Sequence, residues 1–230
     1  MVKMSAGEKK KQLILNTCKK LFYRNGYGNT TYEDICEAAD IPPGTITYHF
    51  GSKREIAAII DAEYERENKT YIEKVCGDRY SKTEMMAIEL FHMWKRICED
   101  ANIRRFLLDL STDKLPNASS IESVRFFYRC VMEDQGIEIS DKELELIASA
   151  QIGMTDGILN ARELSGYDYT YEEAARFSIR FFMRQLGIDE DTILAYTKRG
   201  KELFDALPID NRYYEDFAYD DRYVKKVDEE

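Results

Sequence analysis

The sequence predicts an all-α protein in which a small N-terminal three-helix unit precedes a larger helical body. Apolar residues recur at the 3.6-residue spacing of amphipathic helices along almost the whole chain. The β-prone stretches, Val131 and Ile137 to Ile139, are too short to build a sheet. Hydrophobic residues make up 44% of the 230 positions, enough for a sizeable core and against global disorder. With 4 Pro and 12 Gly the chain is neither collagen-like nor low-complexity.

The elements follow in order. Residues 8–25 place Leu13, Ile14, Thr17, Cys18, Leu21 and Phe22 on one face and Lys9, Lys10, Lys20 and Arg24 elsewhere, and the helix stops at Asn25-Gly26. A short helix runs from about Tyr32 to Ala39, with Thr31 as its cap and the Asp34 charge favouring its start. Pro42-Pro43-Gly44 break the chain before a second short helix, about Gly44 to His49. Ser52 as N-cap and Glu55 three residues later form a capping box for a long helix from Lys53 to about Cys76.

Beyond Gly77 the pattern predicts helices over 82–99, 102–112, 118–135, 141–165, 170–186 and 190–206. The breaks between them fall at Gly77-Asp78, Asp113 to Asn117 with Pro116, Gly136, Gly166 to Tyr169, and Gly187. Residues 208–230 are rich in Tyr, Asp and Glu and read as an extended or partly disordered acidic tail. The expected divisions are residues 1–53, 54–207 and 208–230.

Charge is unevenly spread. The chain carries −10 overall, yet residues 1–54 hold nine basic and five acidic side chains, a net +4. A basic end on an acidic body can meet phosphates with one face while the rest is repelled. No apolar run approaches the ~18 to 20 residues of a membrane span, and none follows the basic start as in a secretory signal. The expected location is therefore cytoplasmic, with no membrane partner. Cys18, Cys36, Cys76, Cys98 and Cys130 are odd in number, widely spaced and never form a CxxC pair. They read as small buried hydrophobes rather than a metal site, redox sensor or disulfide scaffold.

The informative stretch runs from Thr30 to Lys53: two short helices joined by a tight turn, with Ile35, Ala38, Ile41, Ile46 and Phe50 directed onto the first helix. Small Ala38 and Ala39 would let the short helices cross closely. A helix-turn-helix needs this geometry for its second helix to enter a major groove ~12 Å wide. The Thr before the first short helix, the segment DICEAADI and the segment GTITYHFGSK resemble the signature of the tetracycline-repressor (TetR) family of bacterial transcription regulators. The resemblance covers about 45 residues, and the chain length and all-helical body agree with it.

The resemblance implies a double-stranded DNA operator as partner, read by a homodimer. Carried over by position, Thr31 caps its helix and offers a hydroxyl to phosphate. Pro43, Gly44 and Thr45 start the recognition helix, Thr47 and Tyr48 lie on its exposed side, His49 follows, and Lys53 pairs with a phosphate. One departure is Thr47, where the family usually has an aromatic. No Arg, Asn or Gln lies on this helix, so specificity is expected from Thr45 and Thr47 against thymine methyls, from DNA shape, and from lysines of the arm, Lys3, Lys9, Lys10 and Lys11.

In the body, residues 141–165 carry Ala148, Gly153, Gly157 and Ala161 at intervals of about four, which lets helices approach closely. With Phe177 and Phe181 of the following helix they are the expected dimer face, and the resemblance points to the same two helices. The middle helices are rich in adaptable and aromatic side chains. The resemblance implies an effector pocket there for an unidentified small molecule, with Met86, Phe91, His92, Trp94, Phe106, Phe127, Met154 and Asn160 as candidates. Effector in the body would shift the 53–76 helix and lower DNA affinity, the action of a repressor.

Two other classes compete. Glu89 and His92 stand at the ExxH spacing of helical di-iron sites, but those need a second such motif, and His49 has no acidic partner at that spacing. GxSxG, HExxH, GxxxxGK[ST] and GxGxxG are absent, so neither catalysis nor a cofactor or metal is expected. A helical protein-binding adaptor, or a DNA-binding protein that answers to no ligand, are the remaining readings.

Overall fold

The computed structural model describes residues 5–112 and 118–208, without the side chains of 118–120. Lys3, the Asp113–Asn117 break and the acidic tail from 209 onward lie outside the described residues. Among those described, every regular element is helical. They are α1 (Ala6–Asn25), α2 (Tyr32–Ala39), α3 (Gly44–Phe50), α4 (Lys53–Cys76), a 3₁₀ turn at Gly77–Arg79, α5 (Lys82–Glu99), α6 (Ala101–Thr112), α7 (Ala118–Gln135), α8 (Asp141–Ser165), α9 (Tyr171–Gln185) and α10 (Glu190–Ala206). Val131, read as β-prone, is buried inside α7.

One local device starts many of these helices. Ser5 with Glu8, Thr31 with Asp34, Ser81 with Glu84 and Thr170 with Glu173 each exchange side-chain and backbone hydrogen bonds across the first turn. Ser52 and Glu55 do the same for α4, at 3.2 and 2.9 Å. Accepting these backbone donors holds the carboxyls of Glu8, Asp34 and Glu173 below their ordinary range.

The chain forms two compact units. The first comprises residues 5–64 and 105–112 of those described. Its core contains Ile14, Cys18, Phe22, Ile35, Ile41, Ile46, Ile56 and Ile60, all buried. The Phe22 ring meets Tyr27 edge-on at 5.4 Å and stacks with Phe106 at 6.2 Å. Gly26 ends α1 at φ 91, and a Cβ there would lie 3.1 Å from Arg105 Nε. Arg105 donates to the carbonyls of Tyr23 and Arg24 at 2.7 and 2.8 Å, placing a cation on the negative end of α1. Asp109 accepts the Gly28 N–H at 3.0 Å. Ala39 is buried but Ala38 is exposed, so only one of the two alanines faces inward, and Phe50 is half-buried.

The second unit comprises residues 65–104 and 118–208 of those described. Within it α5 is surrounded: α9, α10 and α7 pack against it, and α8 packs on α7 and α9. Phe91 stacks with Phe204 at 6.0 Å and Tyr128 with Phe182 at 3.8 Å. Trp94 Nε1 donates to Ser178 Oγ at 2.8 Å, satisfying the indole where it is fully buried. At Gly200 the backbone of α10 lies so near α5 that a Cβ would fall 2.5 Å from that of Ala87. The thiols are free, and Cys18 and Cys76 are buried as expected, whereas Cys36, Cys98 and Cys130 are half-buried. Burial pushes the Cys18 thiol up to about 12. Among the described residues no helix is long and apolar enough to cross a membrane.

Candidate functional site

The turn between α2 and α3 is made by Asp40, whose φ of 49 puts it in the left-handed region that short polar side chains tolerate. Ile41 N–H then returns to the Cys36 carbonyl at 3.0 Å, and both Ile41 and Ile46 are buried. With Ile46 as anchor, the opposite side of α3 is turned to solvent. Thr47 is exposed, Tyr48 is 84% exposed, and Thr45 and His49 are half-buried. The Tyr48 ring meets His49 edge-on at 4.9 Å. Pro43 and Gly44 are exposed at the start of α3. Gly51 closes the helix at φ 78, its N–H on the Thr47 carbonyl. The Thr31 hydroxyl accepts the Asp34 N–H at 3.1 Å.

Lys53, expected to pair with a phosphate, has another task. Its ammonium donates to the carbonyls of Tyr27 and Thr30 at 2.8 and 2.6 Å and lies 4.5 Å above the Tyr27 ring, while its backbone N–H donates to Tyr32 Oη at 2.7 Å. Lysine is pinned here because buried carbonyls of the α1–α2 loop need donors. Lys9, Lys10 and Lys11 of α1 and Arg54 of α4 are exposed, whereas Lys19 is paired with Glu63 at 2.7 Å.

The residues expected to line an effector pocket are dispersed. Met86 and Phe127 border one small cavity of about 20 Å3, with Lys69, Glu73, Lys82, Met85, Glu89, Phe126 and Cys130 among their neighbours. Such a space holds roughly one water. Phe91 and Trp94 are fully buried packing residues. The Met154 sulfur lies 4.0 Å from Ser178 Oγ, and Asn160 donates to its own helix at the Asp156 carbonyl. Phe106 is a correction: it belongs to the core of the first unit, stacked on Phe22. Helical periodicity marks an aromatic as buried but does not say against which partner.

Beside the cavity the ExxH pair is bridged. Asn68 donates to Glu89 Oε1 at 3.1 Å, and its Oδ1 lies 2.8 Å from His92 Nδ1, so the neutral ring carries its proton on Nδ1. Burial holds His92 down to about 3, helped by Arg96, and pushes Glu89 up to about 8 against the Asn68 bond. Both groups are therefore neutral at pH 7. Among the described residues no group of three His, Cys, Asp or Glu is placed to hold a metal ion.

On α8, Gly153 and Gly157 are exposed with open space at their Cβ positions, Ala161 is half-buried, and on α9 Phe177 is 55% exposed and Phe181 half-buried. Ala148 is a second correction, fully buried within its own unit and closed to a partner. The periodicity missed Leu146 and Leu164, which are 66% and 84% exposed on α8.

The family model for bacterial regulatory proteins of the tetR family matches residues 14–59. The transcriptional regulator TtgR of Pseudomonas putida is 24% identical over 149 residues, 64% of this chain and 63% of TtgR, so the chain spans just under two thirds of that relative's length. UidR of Escherichia coli is 37% identical over 65 residues, 28% of this chain and 33% of its own. Among solved structures, RolR in complex with resorcinol superposes with a TM-score of 0.64 at 16% identity, over 84% of this chain and 95% of RolR. FadR of Thermus thermophilus, a TetR-family repressor in complex with lauroyl-CoA, gives 0.60 at 13% identity, over 78% and 96%. At these identities the structures speak for the fold. The N-terminal segment, residues 14–59, thus matches the model for bacterial regulatory proteins of the tetR family, and the chain shares the fold of RolR and FadR.

Proposed function

We propose that the protein is a transcriptional repressor that binds a palindromic operator as a homodimer and releases it when a small molecule enters the body. The observation that carries this reading is the anchoring of α3. Ile46 is fully buried while Thr47 and Tyr48 face solvent, so a short, rigidly seated helix offers its polar side to a groove. Thr45, Thr47 and Tyr48 are the proposed base and sugar contacts. Thr31, His49 and the exposed lysines of α1 are the proposed phosphate contacts, and Lys53 positions the loop that carries Thr31.

A single unit reads too few base pairs for tight binding, so two copies must bind two half-sites. The proposed dimer face is the exposed side of α8 and α9. Gly153 and Gly157 permit close approach there, and Leu146, Leu164 and Phe177 leave apolar surface in water. The effector would bind at the cavity beside Met86 and Phe127, which has room for about one water and must open to admit it. RolR and FadR, which bind resorcinol and lauroyl-CoA, support a body of this fold receiving a small molecule. Such a ligand lowers DNA affinity only by its preference for the conformation that does not bind DNA.

The test is a gel-shift titration of the purified protein against genomic fragments at rising salt. Retention of a discrete palindromic fragment, weakening steeply with salt, is the expected result. No retention of any fragment at low salt overturns the reading.

A further inference from the structure

The cavity between α4, α5 and α7 already holds a cation. The Lys69 ammonium sits 3.0 Å above the centroid of Phe126 and 5.2 Å from that of Phe127. The faces of two aromatic rings carry the negative part of their quadrupoles, and an ammonium on them is stabilised most where water is excluded. Glu73 and Glu89 border the same space, and Glu89 is held in place by Asn68 Nδ2 at 3.1 Å. Lys82, the other cation at the rim, is exposed. Met85 and Met86 supply a polarisable floor that adapts to an apolar body. Phe126 is 43% exposed, so the cage borders solvent.

We propose that this cavity, which as it stands has room for about one water, becomes a receptor for an organic ammonium ion with an apolar body when the Lys69 side chain swings out, the Lys69 ammonium being the tethered occupant whose place the ligand takes. The inference rests on the reading that the body takes an effector and assigns that effector's chemistry. An anion would face two ring faces and the carboxyls of Glu73 and Glu89, with Lys69 already engaged on the rings. A cation replaces Lys69 on the same rings and gains Glu89 as its counter-charge. Burial pushes Glu89 up to about 8; Lys69 and Glu73 on α4, Lys82 on α5 and Cys130 on α7 border the same cavity, and neutral His92 is joined to Glu89 through Asn68. A permanent cation must therefore draw a proton off Glu89 to pair with it, and it binds more tightly as pH rises toward 8.

The experiment is calorimetric titration of the full chain with benzyltrimethylammonium, whose charge does not titrate, and with phenylacetate as the anionic counterpart. The expected results are saturable binding of the ammonium alone and a loss of affinity approaching tenfold per pH unit below 8. Lys69→Ala should tighten binding about tenfold by removing the competitor. Lys69→Gln serves as a second variant should the alanine fail to fold. Glu89→Gln should weaken binding and erase the pH dependence. Preference for phenylacetate with weakening in Lys69→Ala overturns the proposal, as does no ammonium binding to either wild type or the Lys69 variants. Because calorimetry needs no DNA, fragment retention without ammonium binding removes this inference alone. Ammonium binding without retention removes the regulator reading and leaves the site.

Discussion

Beyond the capping boxes that both contain, the longer-range bonds within the N-terminal unit and within the body differ in kind. In the first, charged side chains are tied to backbone: Lys53 to the carbonyls of Tyr27 and Thr30, Arg105 to those of Tyr23 and Arg24, and Asp109 to the Gly28 N–H. In the body, side chains are tied to distant side chains: Trp94 to Ser178, Asn68 to both Glu89 and His92, Tyr128 to Gln151. Backbone anchors fix the angle of a short helix whatever the pH or ligand. A side-chain network with neutral carboxyl and imidazole groups can be rewired by a proton or a ligand. Under the proposed function, a unit that fits a groove would profit from the first kind, and a body that switches would need the second.

Lys53 gives the sharpest way to break that contrast. Lys53→Met keeps the aliphatic stem but leaves the carbonyls of Tyr27 and Thr30 without their charged donor. It should cost about 2–4 kcal/mol of stability in urea denaturation, with DNA affinity falling as a consequence. Unchanged stability with a salt slope shallower by about one would instead return Lys53 to a phosphate contact.

The body answers to pH through opposed groups. Glu89, raised to about 8 in the folded chain, contributes stability that is complete below its ordinary value near 4.5 and is lost as pH rises through 8. His92, lowered to about 3, contributes stability present above 6.5 and lost as pH falls toward 3. The network is therefore firmest between about pH 5 and 6. Glu89→Gln should flatten the alkaline side by about 1 kcal/mol per pH unit, measured as urea midpoints at pH 5 and 8. Parallel pH profiles for the two proteins would show that Glu89 is hydrated and ordinary.

Separation along the chain decides what the sequence made legible. Thr31 with Asp34, Ser52 with Glu55 and Gly26 after Asn25 are signals read within four residues, and each corresponds to a bond or a left-handed turn in the structure. The Asn68–Glu89, Asn68–His92 and Trp94–Ser178 bonds join residues 21, 24 and 84 apart, and no local pattern encodes them. Lys69, Glu73 and Lys82 look like a solvated helix face from spacing alone, yet they border the cavity. Ala148 and Phe106 failed for a related reason. Periodicity gives a helix its buried stripe, but whether the stripe meets its own unit, another unit or a second copy is decided by tertiary packing.

Gly200 tests that packing with a single methyl. Gly200→Ala places its Cβ 2.5 Å from Ala87 Cβ and should destabilise the body by about 1–3 kcal/mol through overpacking, although alanine is the better helix former. Ala87→Gly in the same chain should restore part of the loss. A stabilising Gly200→Ala would mean that α5 and α10 have room to part.

The smallest effect on stability is the one that isolates function. Tyr48 is 84% exposed and its ring touches His49, so Tyr48→Ala removes little buried surface and should stay within about 0.5 kcal/mol of wild type in thermal or urea unfolding. DNA retention should nevertheless fall by tenfold or more, because an aromatic on an exposed face of α3 has its partner only in the complex. Ile46→Ala reverses the pattern: it leaves the polar face intact but empties a fully buried site, so stability falls by about 2–5 kcal/mol. If Tyr48→Ala bound every fragment as wild type does, the exposed side of α3 would not be the reading face, and the division between a fixed reader and a switchable body would lose its first half.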